Sequence, residues 1–358
     1  MNAKERYLAV FDDNKRKKLD RVPTFVQYIR PEFVELHRQS FLNMRIPFQS
    51  DVSRFGDAYI MGFESVFGHV HPGLRVSQVE LEDEKGEKVT VAWNGQPPAK
   101  KMGYYKRGLF FSLDNLHKVQ ETMRKVDDSE GIRKLMDHYK KISPYIFPVI
   151  AFGGIFDTLW QSMGFYNFAY HYRKNSKLYQ EIIKYFAELA LIRVESVIEA
   201  TGNLAGILNI NDDIAFKGRP MISPERWEQD IGKYYKEICS TIRDAGMKTS
   251  LHSDGDVTIM VPVLKRIGFC GVQGWEGGAD PLIVNERYPN FVINGFGDIS
   301  QIIPFGSKEE IFNHVKDLMD ALKENRHFII GPSTVIYEGI PFENVEYFIQ
   351  ASKRYGKY

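Results

Sequence analysis

From residue 147 onward the chain repeats one pattern: a short apolar run ending in polar or glycine residues, then a helix-length amphipathic segment. The runs are 147–154, 205–213, 248–256, 271–278, 291–298 and 327–333. The amphipathic segments between most of them are 179–200, 224–245, 257–267 and 308–324, with a last from about 343 to 353. Continuously apolar runs of this length suit strands buried on both faces. Strands alternating with helices form a parallel sheet with crossover helices. These runs, a candidate strand at 24–28 and one or two more in the less regular first half approach eight. The expectation is an α/β fold, a single (β/α)8 TIM barrel over 1–358. A doubly wound open sheet is the alternative, but no G-x-G-x-x-G follows a strand.

Local signals agree with this alternation. Ser223-Pro224-Glu225 supplies an N-cap, a proline at the first helical position and an early acid. Ser307-Lys308-Glu309-Glu310 is a capping-box pattern, and Gly246 and Gly268 sit where C′ glycines close helices. In the first half, 3–11 has helical character, an N-terminal extension that Asp20-Arg21-Val22-Pro23 ends. Residues 79–93 suggest an inserted, exposed hairpin around Asp83-Glu84-Lys85-Gly86. Residues 113–140 suggest mostly helix, broken near Gly131. Residues 142–172 carry a single charge, Asp157, and many aromatics. That is long enough to cross a bilayer, but Pro144, Pro148 and Gly153-Gly154 interrupt it, and Gln161, Asn167 and His171 add polar cost. A buried strand followed by a pocket-lining helix is the better reading.

Charge and cysteine content narrow the partners. A net charge of +1 implies no bulk attraction to nucleic acid or membrane. Two cysteines, Cys239 and Cys270, and an N-terminus without an apolar core fit a cytoplasmic protein rather than a disulfide-stapled secreted one.

A barrel of this type carries its active site at the C-terminal ends of the strands. The residues ending the runs are therefore the candidates: Asn209, Asn211, Asp212 and Asp213; His252, Asp254 and Asp256; Glu276; Asn294 and Asp298; and Ser333. His252 and Asp254 lie two apart, so an extended strand turns both to one face. Glu276 ends the next run and can reach the same point. An imidazole and two carboxylates there can hold a divalent metal, commonly zinc, with an open position, or can serve as a proton-transfer set without one. Asp212 and Asp213 are adjacent, so one enters the pocket and the other does not. Gly277 and Gly278, within Gly274-Trp275-Glu276-Gly277-Gly278, either let backbone approach a ligand or simply turn the chain. There is no P-loop, G-x-S-x-G, H-E-x-x-H or C-x-x-C motif.

Several segments, in order and spacing, resemble the uroporphyrinogen decarboxylase superfamily, nearest its corrinoid-dependent methyltransferase branch. They are Glu5-Arg6-Tyr7-Leu8, Asp20-Arg21-Val22-Pro23, Gly164-Phe165, Asn211-Asp212-Asp213-Ile214-Ala215, Ile222-Ser223-Pro224-Glu225, the 248–256 run with His252, Gly331-Pro332-Ser333 and Ile340-Pro341-Phe342-Glu343-Asn344. The resemblance implies a (β/α)8 barrel. The decarboxylase carries an arginine-rich motif after its first strand. Here Gln27-Tyr28-Ile29-Arg30-Pro31-Glu32-Phe33 holds one arginine, so a substrate with many carboxylates would be poorly neutralised. The thiol methyltransferases of this superfamily bind zinc through a histidine, a cysteine two residues later and a second cysteine near the C-terminus. His252 matches the first, Asp254 stands at the second, and Ser333 or Thr334 stands near the third.

The resemblance thus implies catalytic roles for His252, Asp254, Asp213 and Asp212, and a metal set of His252, Asp254 and Glu276. Asn209, Gly277, Gly278, Asn294 and Ser333 are implied around a cofactor. The implied activity is demethylation of a small O- or N-methylated compound, the methyl passing to a corrinoid (cobalamin) on a partner protein, with zinc as the candidate metal and a homodimer compatible with it. The aromatics of 145–172, with Tyr104 and Tyr105, are candidates for the donor pocket. The alternative is a decarboxylase or lyase of a smaller acid, with Arg30 or Arg219 holding a carboxylate.

Overall fold

The computed structural model describes residues 1–42, 53–70, 79–83, 85–91, 108–123, 129–201 and 205–358. Eight parallel strands form one sheet in chain order: β1 (Phe25–Val26), β2 (Ser65–His69), β3 (Phe147–Gly153), β4 (Ile207–Asn211), β5 (Lys248–Ser253), β6 (Gly271–Gly274), β7 (Val292–Gly297) and β8 (Phe328–Pro332). The first and last strands meet through a parallel bridge between Thr24 and Ile330, where the Ile330 N–H donates to the Pro23 carbonyl at 3.0 Å. The expected barrel is present, and each apolar run from 147 onward contains a barrel strand.

Alternation along the strands separates two cores. Phe25, Phe67, Phe147, Val149, Ala151, Ile207, Val292 and Ile329 point inward and fill the lower barrel. The helix Ala3–Ala9 plugs that end with Tyr7, whose ring lies 5.5 Å from Phe147. A capping box between Asn2 and Glu5 starts this helix. Arg6, Asp20, Arg21 and Glu64 clamp it through ion pairs. The outward side chains, such as Val66, Ile150, Leu208, Leu251 and Ile330, pack against the helical layer in the larger core.

Several local expectations are met. Ser223 accepts the Arg226 N–H, Ser307 and Glu310 form the capping box, and Gly246 and Gly268 take positive φ after their helices. Val79–Glu82 and Lys88–Val91 pair as the antiparallel hairpin. Residues 142–172 become β3 and the helices Phe156–Met163 and Phe165–Lys174. Among the described residues no helix is long and apolar enough to cross a membrane.

Others differ. The helix break expected near Gly131 is not at that residue: the segment forms the two helices Leu113–Met123 and Ser129–Ile142, with Gly131 in the first turn of the second. The segment 224–245 is interrupted by a π-helical turn at Glu228–Gly232, and 257–267 begins with a 3-10 turn at Thr258–Met260 before Val261–Ile267. Apolar periodicity does not register such local changes of pitch.

Candidate functional site

The upper barrel is lined by polar side chains where a barrel ordinarily packs branched aliphatics. Ser250 donates to Asn209 Oδ1 at 2.6 Å, and Asn209 Nδ2 donates to Asn211 Oδ1 at 2.7 Å. Beside them His252, 4% exposed, stands on β5 with Nδ1 2.5 Å from Gln273 Oε1 on β6. The Gln273 amide N–H donates to the Ser333 carbonyl at 3.1 Å, which turns its oxygen toward the imidazole. Nδ1 therefore carries the proton, and Nε2 presents its lone pair toward the barrel mouth. The Gln27 amide nitrogen lies 3.2 Å from Nε2, and Gln27 Oε1 accepts from Thr334 Oγ1. Two glutamines thus hold the ring in one tautomer and one orientation.

Nε2 faces two carboxylates, Asp213 Oδ1 at 3.8 Å and Asp254 Oδ1 at 3.7 Å. One ligand atom from each of Asp213, His252 and Asp254 lies within 4.8 Å of the others, an arrangement able to hold a metal ion. The strand ends at Ser253, yet Asp254 still reaches the imidazole, because its N–H is tethered to Asp213 Oδ1 at 2.9 Å. Asp254 Oδ1 is buried and accepts no hydrogen bond. Burial pushes the Asp254 carboxyl up to about 6, with Asp213 and Glu276 adding to the push and His252 opposing it.

The adjacent acids Asp212 and Asp213 diverge as alternation requires. Asp212 is fully buried, accepts the Tyr235 hydroxyl at 2.7 Å and the Asp157 N–H at 2.6 Å, and so anchors the start of Phe156–Met163. Burial pushes its carboxyl up to about 7. Its contacts are those of a support, whereas Asp213 faces His252. Asp157, missed as a candidate, is held well above the ordinary carboxylate range, by burial first and then by Asp213 and Asp212.

The remaining candidates divide. Glu276 is outside the converging triad, and Asp213 takes the place expected of it. Its Oε1 accepts Ser333 Oγ at 3.0 Å. Ser333, Gly277 and Gly278 line a recess of about 500 Å³ with Glu276, Lys217 and Asp298. Gly277 and Gly278 take φ +48° and +126° there, and a Cβ on Gly277 would meet the Lys217 side chain at 2.4 Å. Asn209 is in the amide chain. Asn294 points instead to the plug, donating to the Tyr7 hydroxyl at 3.3 Å. Asp256 and Asp298 accept nearby N–H groups in their own turns. Arg30 sits 3.9 Å from Glu338 at the surface.

A chamber of about 790 Å³ opens above the triad, with Asp213, Asp254 and Glu276 among its lining. Its walls are Trp160, Phe165, Phe168, Tyr172 and Phe216. Aromatics of 145–172 therefore do line it, while Tyr104 and Tyr105 lie outside the described residues. Cys239 is buried on the helix Lys233–Asp244 and Cys270 precedes β6, so both lie away from the triad. Gln27 and Gln273 were not singled out from sequence. The signal was there: Gln273 is an amide within a buried run, and Gln27 lies two residues beyond the inward-facing Phe25.

The model of the uroporphyrinogen decarboxylase (URO-D) family matches residues 99–355. The chain belongs to the uroporphyrinogen decarboxylase family. Among solved structures, a methyltransferase from Methanosarcina mazei aligns over 99% of this chain and 99% of its own, with 16% identity and a TM-score of 0.63, which establishes a shared fold. A β-mannanase from the blue mussel Mytilus edulis aligns over 92% of this chain and 89% of its own, at 12% identity and a TM-score of 0.42. A putative vitamin-B12 independent methionine synthase from Listeria monocytogenes aligns over 94% and 96%, at 10% identity and a TM-score of 0.41. The last two carry no argument about this member of the family. No curated protein matches it.

Proposed function

We propose that this URO-D family member is a methyltransferase that removes a methyl group from a small O- or N-methylated donor and passes it to a corrinoid carried on a partner protein. The observation that carries this reading is the Asp213–His252–Asp254 cluster at the floor of an apolar chamber. In the reaction the donor's carbon–heteroatom bond breaks, the bonding pair stays on the heteroatom, and that atom takes up one proton. The methyl leaves as an electrophile to the acceptor's electron pair.

The cluster fits a divalent cation such as zinc. Its atoms are a neutral imidazole lone pair and two carboxylates, and one of the carboxylate oxygens is buried with no donor. The lone pair that Gln27 now engages is the one a metal would take. When bound, the cation would supply Lewis-acid polarisation of the donor's heteroatom, which an oxygen-rich ligand set favours over thiolate presentation. The chain's own groups orient the donor, exclude water with the aromatic walls, and hold protons at Asp254, Asp213, Glu276 or His252.

Purified protein is to be incubated with cob(I)alamin and a panel of methoxyaromatics and methylamines. Growth of the methylcobalamin absorbance with loss of activity in His252→Ala is expected. No methylcobalamin across the panel would sink the reading. A second reading, decarboxylation of a small acid, draws on the family itself and on Arg219 beside Phe216. Carbon dioxide release from a carboxylic-acid panel would favour it.

A further inference from the structure

We propose that the end of the barrel opposite the mouth carries a second binding site, for a small organic anion whose carboxylate or phosphate meets Lys353 and Arg21. A cavity of about 590 Å³ opens there. Its wall includes residues that precede the strands: Arg21 before β1, Glu64 before β2 and Tyr145 before β3. The Asp213–His252–Asp254 cluster lies where the strands end, so the two sites are separate. The second site is therefore independent of the methyl-transfer reading.

Charge in this cavity does not balance. Asp20 matches Arg6, accepting its Nε–H at 2.8 Å and an Nη2–H at 2.9 Å. Glu64 matches Arg21 through bonds of 2.9 and 2.6 Å. Glu64 also accepts from Arg6 and from the Thr24 N–H at 3.3 Å, so both its oxygens are taken. Lys353, on the helix Phe342–Tyr355, is the third cation of the lining. Among the described residues it makes no hydrogen bond or ion pair. Burial, then Arg21, holds its ammonium below the ordinary range, and Glu64 opposes them. A bound anion would supply the missing counter-charge.

The backbone leaves room for that ammonium. Gly62 takes φ +93°, and a Cβ there would lie 2.7 Å from Lys353 Nζ. The rest of the wall is apolar. Phe63 and Pro144 line it with Tyr59 and Tyr145, whose rings meet edge to face at 6.2 Å. Tyr145 is 39% exposed. An anionic head at Lys353 and Arg21 with an apolar body on these rings satisfies both halves of the cavity. Inorganic phosphate satisfies only the first. The volume suits a single small ligand. Bound there, the anion would tie the N-terminal segment, through Arg21, to the last helix, through Lys353, and so stabilise the fold.

Titration calorimetry at fixed ionic strength with benzoate, phenyl phosphate, inorganic phosphate and benzyl alcohol tests this. Benzoate or phenyl phosphate should bind saturably, and the tighter of the two identifies the head group. Benzyl alcohol, which lacks the charge, should not bind saturably. Lys353→Met should weaken the anion about tenfold or more, the size of a charge-assisted contact. Lys353→Arg, which keeps the charge, should retain most of the affinity. The thermal unfolding midpoint should rise with the tighter anion in the wild type and not in Lys353→Met. Lys353 is exposed and unpaired among the described residues, so folding is not at risk, and circular dichroism checks it. Absence of saturable binding by both organic anions overturns the proposal. So does an affinity that survives Lys353→Met, which would put the anion elsewhere. Inorganic phosphate binding as tightly as phenyl phosphate would overturn the assignment to an organic ligand.

Discussion

His252 owes its chemistry to Gln273. Without a fixed acceptor at Nδ1 the imidazole would populate both tautomers, and only one aims a lone pair at Asp213 and Asp254. Gln273→Leu should weaken zinc binding by roughly 10–100-fold, the usual effect of losing a partner behind a histidine ligand. Gln273→Glu, which keeps the acceptor, should retain most of it. Competition with a chromophoric chelator measures both, and equal affinities for Leu and wild type would remove Gln273 from this role. A second buried histidine, His327, makes a prediction about pH. Burial, then Arg16, pushes its imidazole down to about 4 from an ordinary 6.5. In the fold it stays neutral while the unfolded chain takes up a proton below 6.5. Stability should fall from pH 6.5 toward 4, and flatten below, by at most about 3 kcal/mol. His327→Gln should remove that part of the slope in urea titrations run across the window. An unchanged slope would discount His327.

Strands β5 and β6 must approach closely for that pair to meet. Gly274 makes this possible, with φ +126° and a position where a Cβ would lie 2.2 Å from the Ser253 carbonyl oxygen. Gly274→Ala should cost about 3 kcal/mol or more, since both backbone strain and a hard clash with backbone act together. The shift in urea midpoint measures it, and a loss under 1 kcal/mol would mean the strand ends adjust freely. By contrast Ser307→Ala, at the exposed start of Lys308–Leu322, should cost about 1 kcal/mol, the ordinary worth of an N-cap. Element identity was legible in the chain because each segment carries its own periodicity and caps. The capping box at Ser307, the closing glycines and the 79–93 hairpin are cases. The π-turn at Glu228–Gly232 was not legible, because apolar periodicity does not register one extra residue in a turn.

For the molecule as a whole, the N-terminal helix closes a barrel whose lower core would otherwise face water. Tyr7 is 2% exposed and touches Phe25 and Phe147. Tyr7→Ala should cost about 3–5 kcal/mol, as removal of a buried aromatic does. Tyr7→Phe should cost far less, since among the described residues the hydroxyl meets only the weak 3.3 Å contact from Asn294. Unfolding midpoints of the two variants separate the packing contribution from the polar one.

The barrel and the meeting of His252 with Asp254 were visible along the chain, since both follow from local repetition and from where polar residues interrupt apolar runs. Adjacency in sequence also announced that only one of Asp212 and Asp213 could enter the site. Which second carboxylate would meet the imidazole was not visible. The choice between Asp213 and Glu276 depends on strand stagger and on the backbone tether from Asp254 to Asp213, and a one-dimensional pattern contains neither. The same holds for Gln27 and Gln273, which lie 246 residues apart in numbering (273 − 27) yet grip one ring from opposite sides. Closing the sheet into a cylinder brings them together, so their shared role exists only once β1, β5 and β6 surround a common axis.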